Sequence, residues 1–301
     1  PQGFGEYRNS TKKAMGGFEL IGSYGEFSLE LLSNLNLYNS KESIGKWRFD
    51  EESNAEFLGL NLDFRGFSTG AELTHNIDRI DYIVPDDPYF LGENALLDTI
   101  RDDFDLLSPF FYIQNKTKIF GGDLLYGMSV GNSKKSPAFD PHISFTRRIG
   151  ERDFFAGTGR YSQYPSPYQF SLNPDLKPAY ALHHVIGFEK NTPTSILKID
   201  GYYKPYKQLL LEDTTENIVS KGYGYAKGVE LFLKVKKGRM KPQIGYALSS
   251  AKRKEGSVDT LVPFQYDIRH NFMMSNTHHF ILFDNFPIDL GIKFNYQSGK
   301  P

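Results

Sequence analysis

Hydrophobic and polar residues alternate along this chain with a period of two. Near the C-terminal end Ile288, Leu290, Ile292, Phe294 and Tyr296 interleave with Asp289, Gly291, Lys293, Asn295 and Gln297. Near the other end Phe27, Leu29, Leu31, Leu35 and Leu37 interleave with Ser28, Glu30, Asn34 and Asn36. Successive side chains of a strand point to opposite faces, so each run predicts a strand with one apolar and one polar side. The runs are about ten residues long, whereas strands of soluble sheets are usually about five or six. About ten two-faced residues is the length that crosses a bilayer at a tilt.

The connections alternate as well. Tight turns are predicted at Gly25, Arg65-Gly66, Asn115-Lys116, Gly150-Glu151-Arg152, Asn191-Thr192-Pro193, Lys237-Gly238 and Asp284-Asn285. Between them lie longer polar stretches, expected as loops at 39–53, 79–105, 132–137, 164–178, 205–222 and 252–266. Short and long connections in alternation describe a meander with tight turns on one rim and large loops on the other. The pattern yields roughly fourteen strands. A sandwich would not alternate its loop lengths in this way, and a solenoid would need a fixed repeat that the chain lacks. The expected fold is all-β: a transmembrane antiparallel up-and-down β-barrel, present in part. Residues 1–301 are read as one barrel piece.

The lipid side of such a sheet should lack charge, since Lys or Arg near the midplane costs about 2–4 kcal/mol. The outward series obey this, apart from Lys227 in Tyr223, Tyr225, Lys227, Val229, Leu231, Leu233 and Val235, a residue expected near the long-loop end. The opposite face of that strand carries Gly224, Gly228, Glu230 and Lys234, which calls for a wet lumen or a polar plug.

Composition narrows function rather than fold. With 35 basic and 36 acidic residues, nothing points to nucleic acid. Aromatics reach 15%, enough for interfacial girdles as well as strands. No cysteine is present, which removes thiolate metal sites and disulfides. No run of about eighteen apolar residues predicts a membrane helix, a criterion that is blind to barrels. The chain begins at Pro1 without Met or signal peptide and ends in a polar motif, and is expected to be an excised fragment.

From Pro137 to Pro301 six motifs follow one another: Tyr164-Pro165-Ser166-Pro167-Tyr168-Gln169 after the strand at 155–163, Asn173-Pro174-Asp175-Leu176-Lys177-Pro178, Gly187-Phe188-Glu189, Gly228-Val229-Glu230-Leu231, Tyr266-Asp267-Ile268-Arg269-His270, and Tyr296-Gln297-Ser298-Gly299-Lys300-Pro301. In that order they resemble the C-terminal barrel of TonB-dependent outer-membrane receptors. Ala179 stands where the family usually carries Glu, and Ile268 replaces a more usual polar residue. Pro1 to Ser136 matches only in its alternation. The resemblance implies a bacterial outer-membrane location and a closed barrel of about 22 strands, of which this is an open subset. It implies capture of a large scarce nutrient (ferric siderophore, haem, cobalamin or glycan) and import driven through TonB acting on a plug domain that this sequence lacks. Expected partners are membrane lipid, the nutrient and TonB, with no cofactor and a monomeric state. A passive porin-like barrel is the alternative, and a soluble secreted β-protein a third reading.

For ligand contact the loop aromatics Tyr89, Phe90, Tyr164 and Tyr168 are the candidates, because flat ligands stack on rings. Asn173, Pro174, Asp175, Leu176, Lys177, Pro178, Gly228, Glu230, Asp267, Arg269, His270, Ser298 and Gly299 are read as structural motif residues. No metal site is expected. His183-His184 and His278-His279 point to opposite faces of a strand. Asp86, Asp87, Asp102, Asp103 and Asp105 could offer oxygens to calcium but lack the spaced ligand loop with its glycine. Nucleophile-elbow, phosphate-loop and zinc-protease motifs are absent, so no catalysis is expected.

Overall fold

The computed structural model describes residues 7–44, 47–85, 97–133, 136–212, 218–236, 238–256, 260–283 and 286–299. In chain order the elements are β1 (Tyr7–Tyr24), β2 (Phe27–Ile44), β3 (Trp47–Phe64), β4 (Phe67–Pro85), β5 (Leu97–Ile119), β6 (Gly122–Ser133), β7 (Ser136–Ile149), β8 (Arg152–Gln163), α1 (Pro167–Leu172), β9 (Ala179–Asn191), β10 (Ser195–Glu212), β11 (Ile218–Val235), β12 (Gln243–Lys254), β13 (Leu261–Pro263), β14 (His270–Leu282) and β15 (Phe286–Gln297). Each strand pairs with the next, except that the short β13 hangs on β12 and β14 takes its place in the order. Fourteen strands therefore lie on one path, as the alternation predicts. Among the described residues β1 and β15 each have a single strand neighbour.

The chain divides into two compact units. The first comprises 1–113, 129–138 and 164–176. Here β1 to β4 form hairpins in unbroken register, from Tyr7↔Ile44 to Tyr24↔Phe27 and from Arg48↔Ile83 to Phe64↔Phe67. The register gathers Leu20, Leu31, Leu60 and Ala71 into one row of the apolar face. The neighbouring row on the other face reads Ile21, Glu30, Asn61 and Gly70.

The second unit comprises 114–128, 139–163 and 177–301. One row of its apolar face runs Phe154, Phe188, Ile199, Leu231, Tyr246, Phe272, Tyr296. The row next to it on the polar face runs Phe155, Gly187, Asp200, Glu230, Ala247, Asn271, Gln297. The apolar face is open: Ile186 is 67% exposed and Ile292 60%. Such a surface is stable only when something other than water covers it. On β15 the apolar series from Phe286 to Tyr296 is ten steps long, or about 34 Å at about 3.4 Å per residue. Tilted by about 40–45°, that length spans about 25 Å of hydrocarbon.

Tight turns are set by left-handed backbone. Gly25 (φ 61°), the pair Arg65 and Gly66 (φ 48° and 85°), and Gly150 (φ 62°) close hairpins where expected. Asn115-Lys116 is not a turn. β5 runs straight through it, and the chain reverses at Phe120 and Gly121 (φ 51° and 69°), with Lys116 Nζ 3.2 Å from Asp123 on β6. Lys116 merely occupies the polar face, and Asn115 points to the opposite one. The turn expected at Asp284-Asn285, and Lys237, lie outside the described residues.

Most of the expected long loops are shorter than the sequence suggests. Strands are 12–23 residues long apart from β13, against about ten expected, because pairing continues beyond the apolar rows. Asn39 to Ile44 and Trp47 to Ser53 are paired strand, as are Pro205 to Glu212 and Ile218 to Gly222. β4 likewise extends to Pro85, and β5 starts at Leu97. Backbone ladders do not depend on side-chain polarity, so a strand that is wet on both faces shows no alternation to read. Lys227 lies nine residues from the long-loop end of the 18-residue β11, on the long-loop side of the apolar residues Val229, Leu231, Leu233 and Val235.

Candidate functional site

Two surfaces carry chemistry: the polar face of the sheet and the connections at the long-loop rim. In the second unit the polar face holds a concavity of about 750 Å³, lined by Lys198, Asp200, Glu230, Asn271, Asn295 and Gln297 among others. Lys198 Nζ stands 3.2 Å from Asp200, and register sets Asp200 directly opposite Glu230. One lysine thus sits among two carboxylates and several amides, a surface that offers both hydrogen-bond donors and acceptors. In the first unit the polar face carries a chain of hydrogen bonds. Tyr112 Oη donates to Asn61 Oδ1 (3.0 Å), and Asn61 Nδ2 donates to Glu30 Oε2 (2.9 Å).

Aromatic rings lie over glycines on this face. A Cβ on Gly187 would fall 2.0 Å from Phe155, and one on Gly228 would fall 2.7 Å from the Tyr202 hydroxyl. Gly70 is covered by Tyr112 in the same manner. Only a residue without a side chain lets the neighbouring ring lie flat across the strand. This explains the glycines of the Gly187-Phe188-Glu189 and Gly228-Val229-Glu230 motifs. Glu230 itself is exposed on the polar face.

The rim connections are built around buried anchors. Between β8 and β9, residues read as plain loop contain α1. Ser166 caps it: Gln169 N–H donates to Ser166 Oγ (3.3 Å) and Ser166 N–H to Gln169 Oε1 (2.9 Å), with Pro167 opening the first turn. Phe170 is 1% exposed and Leu176 2%. Asn173 ends the helix through its N–H on the Gln169 carbonyl, and its side-chain oxygen accepts from Asp175 N–H at 2.9 Å. Ser136 Oγ donates to the Leu176 carbonyl at 3.3 Å. In the second unit Ser220 Oγ both accepts from Lys177 N–H (2.9 Å) and donates to the Lys177 carbonyl (3.1 Å). Pro174, Asp175 and Lys177 are exposed, whereas Pro178 is buried.

Between β12 and β14 the segment from Asp267 to His270 is clasped along β12. Buried Asp267 Oδ1 accepts Ala251 N–H (3.0 Å), and Ser249 donates its N–H to the Arg269 carbonyl and its hydroxyl to the Ile268 carbonyl. Only the backbone of Ile268 and Arg269 enters the clasp, so a nonpolar residue at 268 costs nothing there. His270 and Ser298 exchange bonds: His270 N–H to Ser298 Oγ (3.1 Å), and Ser298 N–H to the His270 carbonyl (2.8 Å). A Cβ on Gly299 would meet open space.

Of the loop aromatics, only Tyr164 has a described side chain. Tyr89 and Phe90 lie outside the described residues, as do Asp86 and Asp87, and of Tyr168 only the backbone, in α1, is described. Tyr164 is half-buried, its hydroxyl 2.6 Å from where a Gly131 Cβ would stand. Two acidic residues of β5 are engaged: Arg79 Nε donates to Asp103 (2.8 Å), and His75 Nε2 lies 2.8 Å from Asp105; the Asp102 side chain lies outside the described residues. His183 and His184 take opposite faces, and His184 Nδ1 bonds Thr158 Oγ1 at 2.9 Å. Among the described residues no three His, Cys, Asp or Glu side chains converge on a metal position.

No protein-family model and no curated protein matches this sequence. Solved structures do. The FrpB iron transporter of Neisseria meningitidis (F5-1 variant, apoprotein) superposes with a TM-score of 0.70 at 13% identity, over 90% of this chain and 50% of that one. The alcaligin outer-membrane receptor FauA of Bordetella pertussis gives 0.69 at 12% identity, over 97% and 54%. The copper transporter OprC gives 0.68 at 12%, over 91% and 51%. The fold is therefore that of an outer-membrane β-barrel receptor. The chain spans about half the length of the solved structures it matches.

Proposed function

We propose that residues 1–301 are a barrel portion of an energised outer-membrane receptor that captures a scarce metal chelate or comparably large nutrient and imports it with TonB-transmitted force. The observation that carries this reading is the pairing of an exposed apolar face with a polar face rich in amides and carboxylates, on the fold of iron and copper transporters. In the reading, lipid covers the first face. A plug encoded outside these residues covers the second and transmits the force. The motif residues from Asn173 to Pro178 and from Asp267 to His270, with Ser298, hold the rim connections in place through the contacts above. Gly228 and Glu230 shape the polar face for the plug. Ligand contact falls to aromatic loop residues: Tyr168 on the α1 connection, and Tyr89 and Phe90 between β4 and β5. Tyr164, packed on Gly131, serves chiefly to hold that connection.

The test is uptake by cells making the intact protein as their sole receptor, supplied in turn with radiolabelled ferric chelates, haem, cobalamin and copper, with and without a protonophore. Uptake of one cargo that stops when the proton gradient collapses is expected. Entry of many small solutes, indifferent to the protonophore, would instead make this a passive pore.

A further inference from the structure

On β10, β11 and β12 the membrane-facing side changes character toward the long-loop rim. Below stand Ile199, Val229, Leu231 and Leu248; above them, register interleaves three lysines with three tyrosines. Lys227 is opposite Tyr203 and Ser250, Lys252 is opposite Tyr225, and Lys207 is opposite Tyr223. Directly opposed residues stand about 5 Å apart and diagonal ones about 7–8 Å, so the six side chains form one patch. Lys227 Nζ lies 5.4 Å from the Tyr225 ring centre. Among the described residues no carboxylate pairs with Lys207, Lys227 or Lys252, whereas nearby Arg160 has Asp140 at 3.6 Å and the Tyr180 ring at 4.0 Å. Three uncompensated cations beside hydrocarbon would be costly unless they reach a polar layer carrying negative charge. Tyrosines belong at that same boundary.

We infer that this patch binds the phosphate groups of outer-leaflet lipid, three lysines gripping phosphorylated headgroups while the tyrosines seat at the sugar and acyl boundary. The inference rests on the outer-membrane reading above. Longer connections mark the extracellular rim, which puts the patch at the outer leaflet. Charge complementarity is the argument for the occupant: the three lysines have no carboxylate partner among the described residues, and the patch is continuous with the lipid-facing rows.

To test it, the intact protein is purified in detergent as wild type, as the Lys207→Gln/Lys227→Gln/Lys252→Gln triple variant, and as the matching triple Lys→Arg variant. Each is titrated with bisphosphorylated lipid A, with dephosphorylated lipid A and with inorganic phosphate. Wild type and the Arg variant should prefer the bisphosphorylated lipid, and the Gln variant should bind it between about tenfold and about a hundredfold more weakly. Lipid should also shield the three lysines of the wild type from reductive methylation, a readout that needs no variant to fold. Equal binding by the Gln variant, equal binding of the dephosphorylated lipid, or unshielded lysines would overturn the proposal. So would saturation by inorganic phosphate at the same concentration, which would make this an ion site. A heat-dependent shift in gel mobility is scored separately on the wild type: its absence would sink the barrel reading, not the patch.

Discussion

The hairpins β1 to β4 and the strands β8 to β15 use the same two-faced alternation but hold their shape differently. In the first block every register is unbroken and each described turn is two residues closed by left-handed backbone. In the second the ladder is interrupted at set places: a register shift past Lys207 beside Gln208 (φ 57°), the isolated bridge Met240↔His278, and the clasp at Asp267. The six motifs all fall at or after the α1 connection, among these interruptions. A regular strand needs only alternation, which many sequences satisfy, whereas a clasp or a ring laid over a glycine needs one particular residue. Family resemblance therefore concentrates where geometry departs from the ideal ladder.

The sharpest way to break the comparison is to charge both apolar faces. Leu60→Arg in the first block and Leu231→Arg in the second should each destabilise the lipid-embedded protein by about 2–4 kcal/mol, read by urea titration in phospholipid vesicles. A neutral Leu60→Arg would mean that the regular block does not face lipid. Next comes the glycine contrast. Gly187→Leu must displace Phe155 and should cost about 1–3 kcal/mol, while Gly22→Ala, with nothing within 4 Å of the added carbon, should stay within about 0.5 kcal/mol. Equal effects at the two sites would remove the distinction between ring-covered and open glycines. Asp267→Ala strands the half-buried Ala251 N–H and should cost about 1–2 kcal/mol in the same titration, with proteolysis beginning between β12 and β14. Smallest is Ser166→Ala, about 1 kcal/mol of helix capping, visible as faster protease nicking between β8 and β9 at little change in global unfolding.

Strand number, strand order and the membrane-facing residues were legible because burial against lipid imposes a period of two wherever it acts. Lys227 and its tyrosines were legible as an exception to that period, but not as a patch: their grouping depends on pairing between β10, β11 and β12. The Tyr164 to Pro178 connection was visible as a motif and its helix was not, since six residues are too few to show a helical period. Tyr164 looked like a ligand platform in sequence. What it packs on, Gly131, is 33 residues away along the chain, a proximity that no local pattern encodes.

The sequence by itself determined the two faces, the turns closed by glycine and the order of the strands, because each of these is local chemistry repeated along the chain. Where the strands end, which ring covers which glycine, and which lysines stand together were decided only by the tertiary structure. Those features depend on register, and register is fixed by the backbone pairing of strands whose polar ends carry no pattern to announce it.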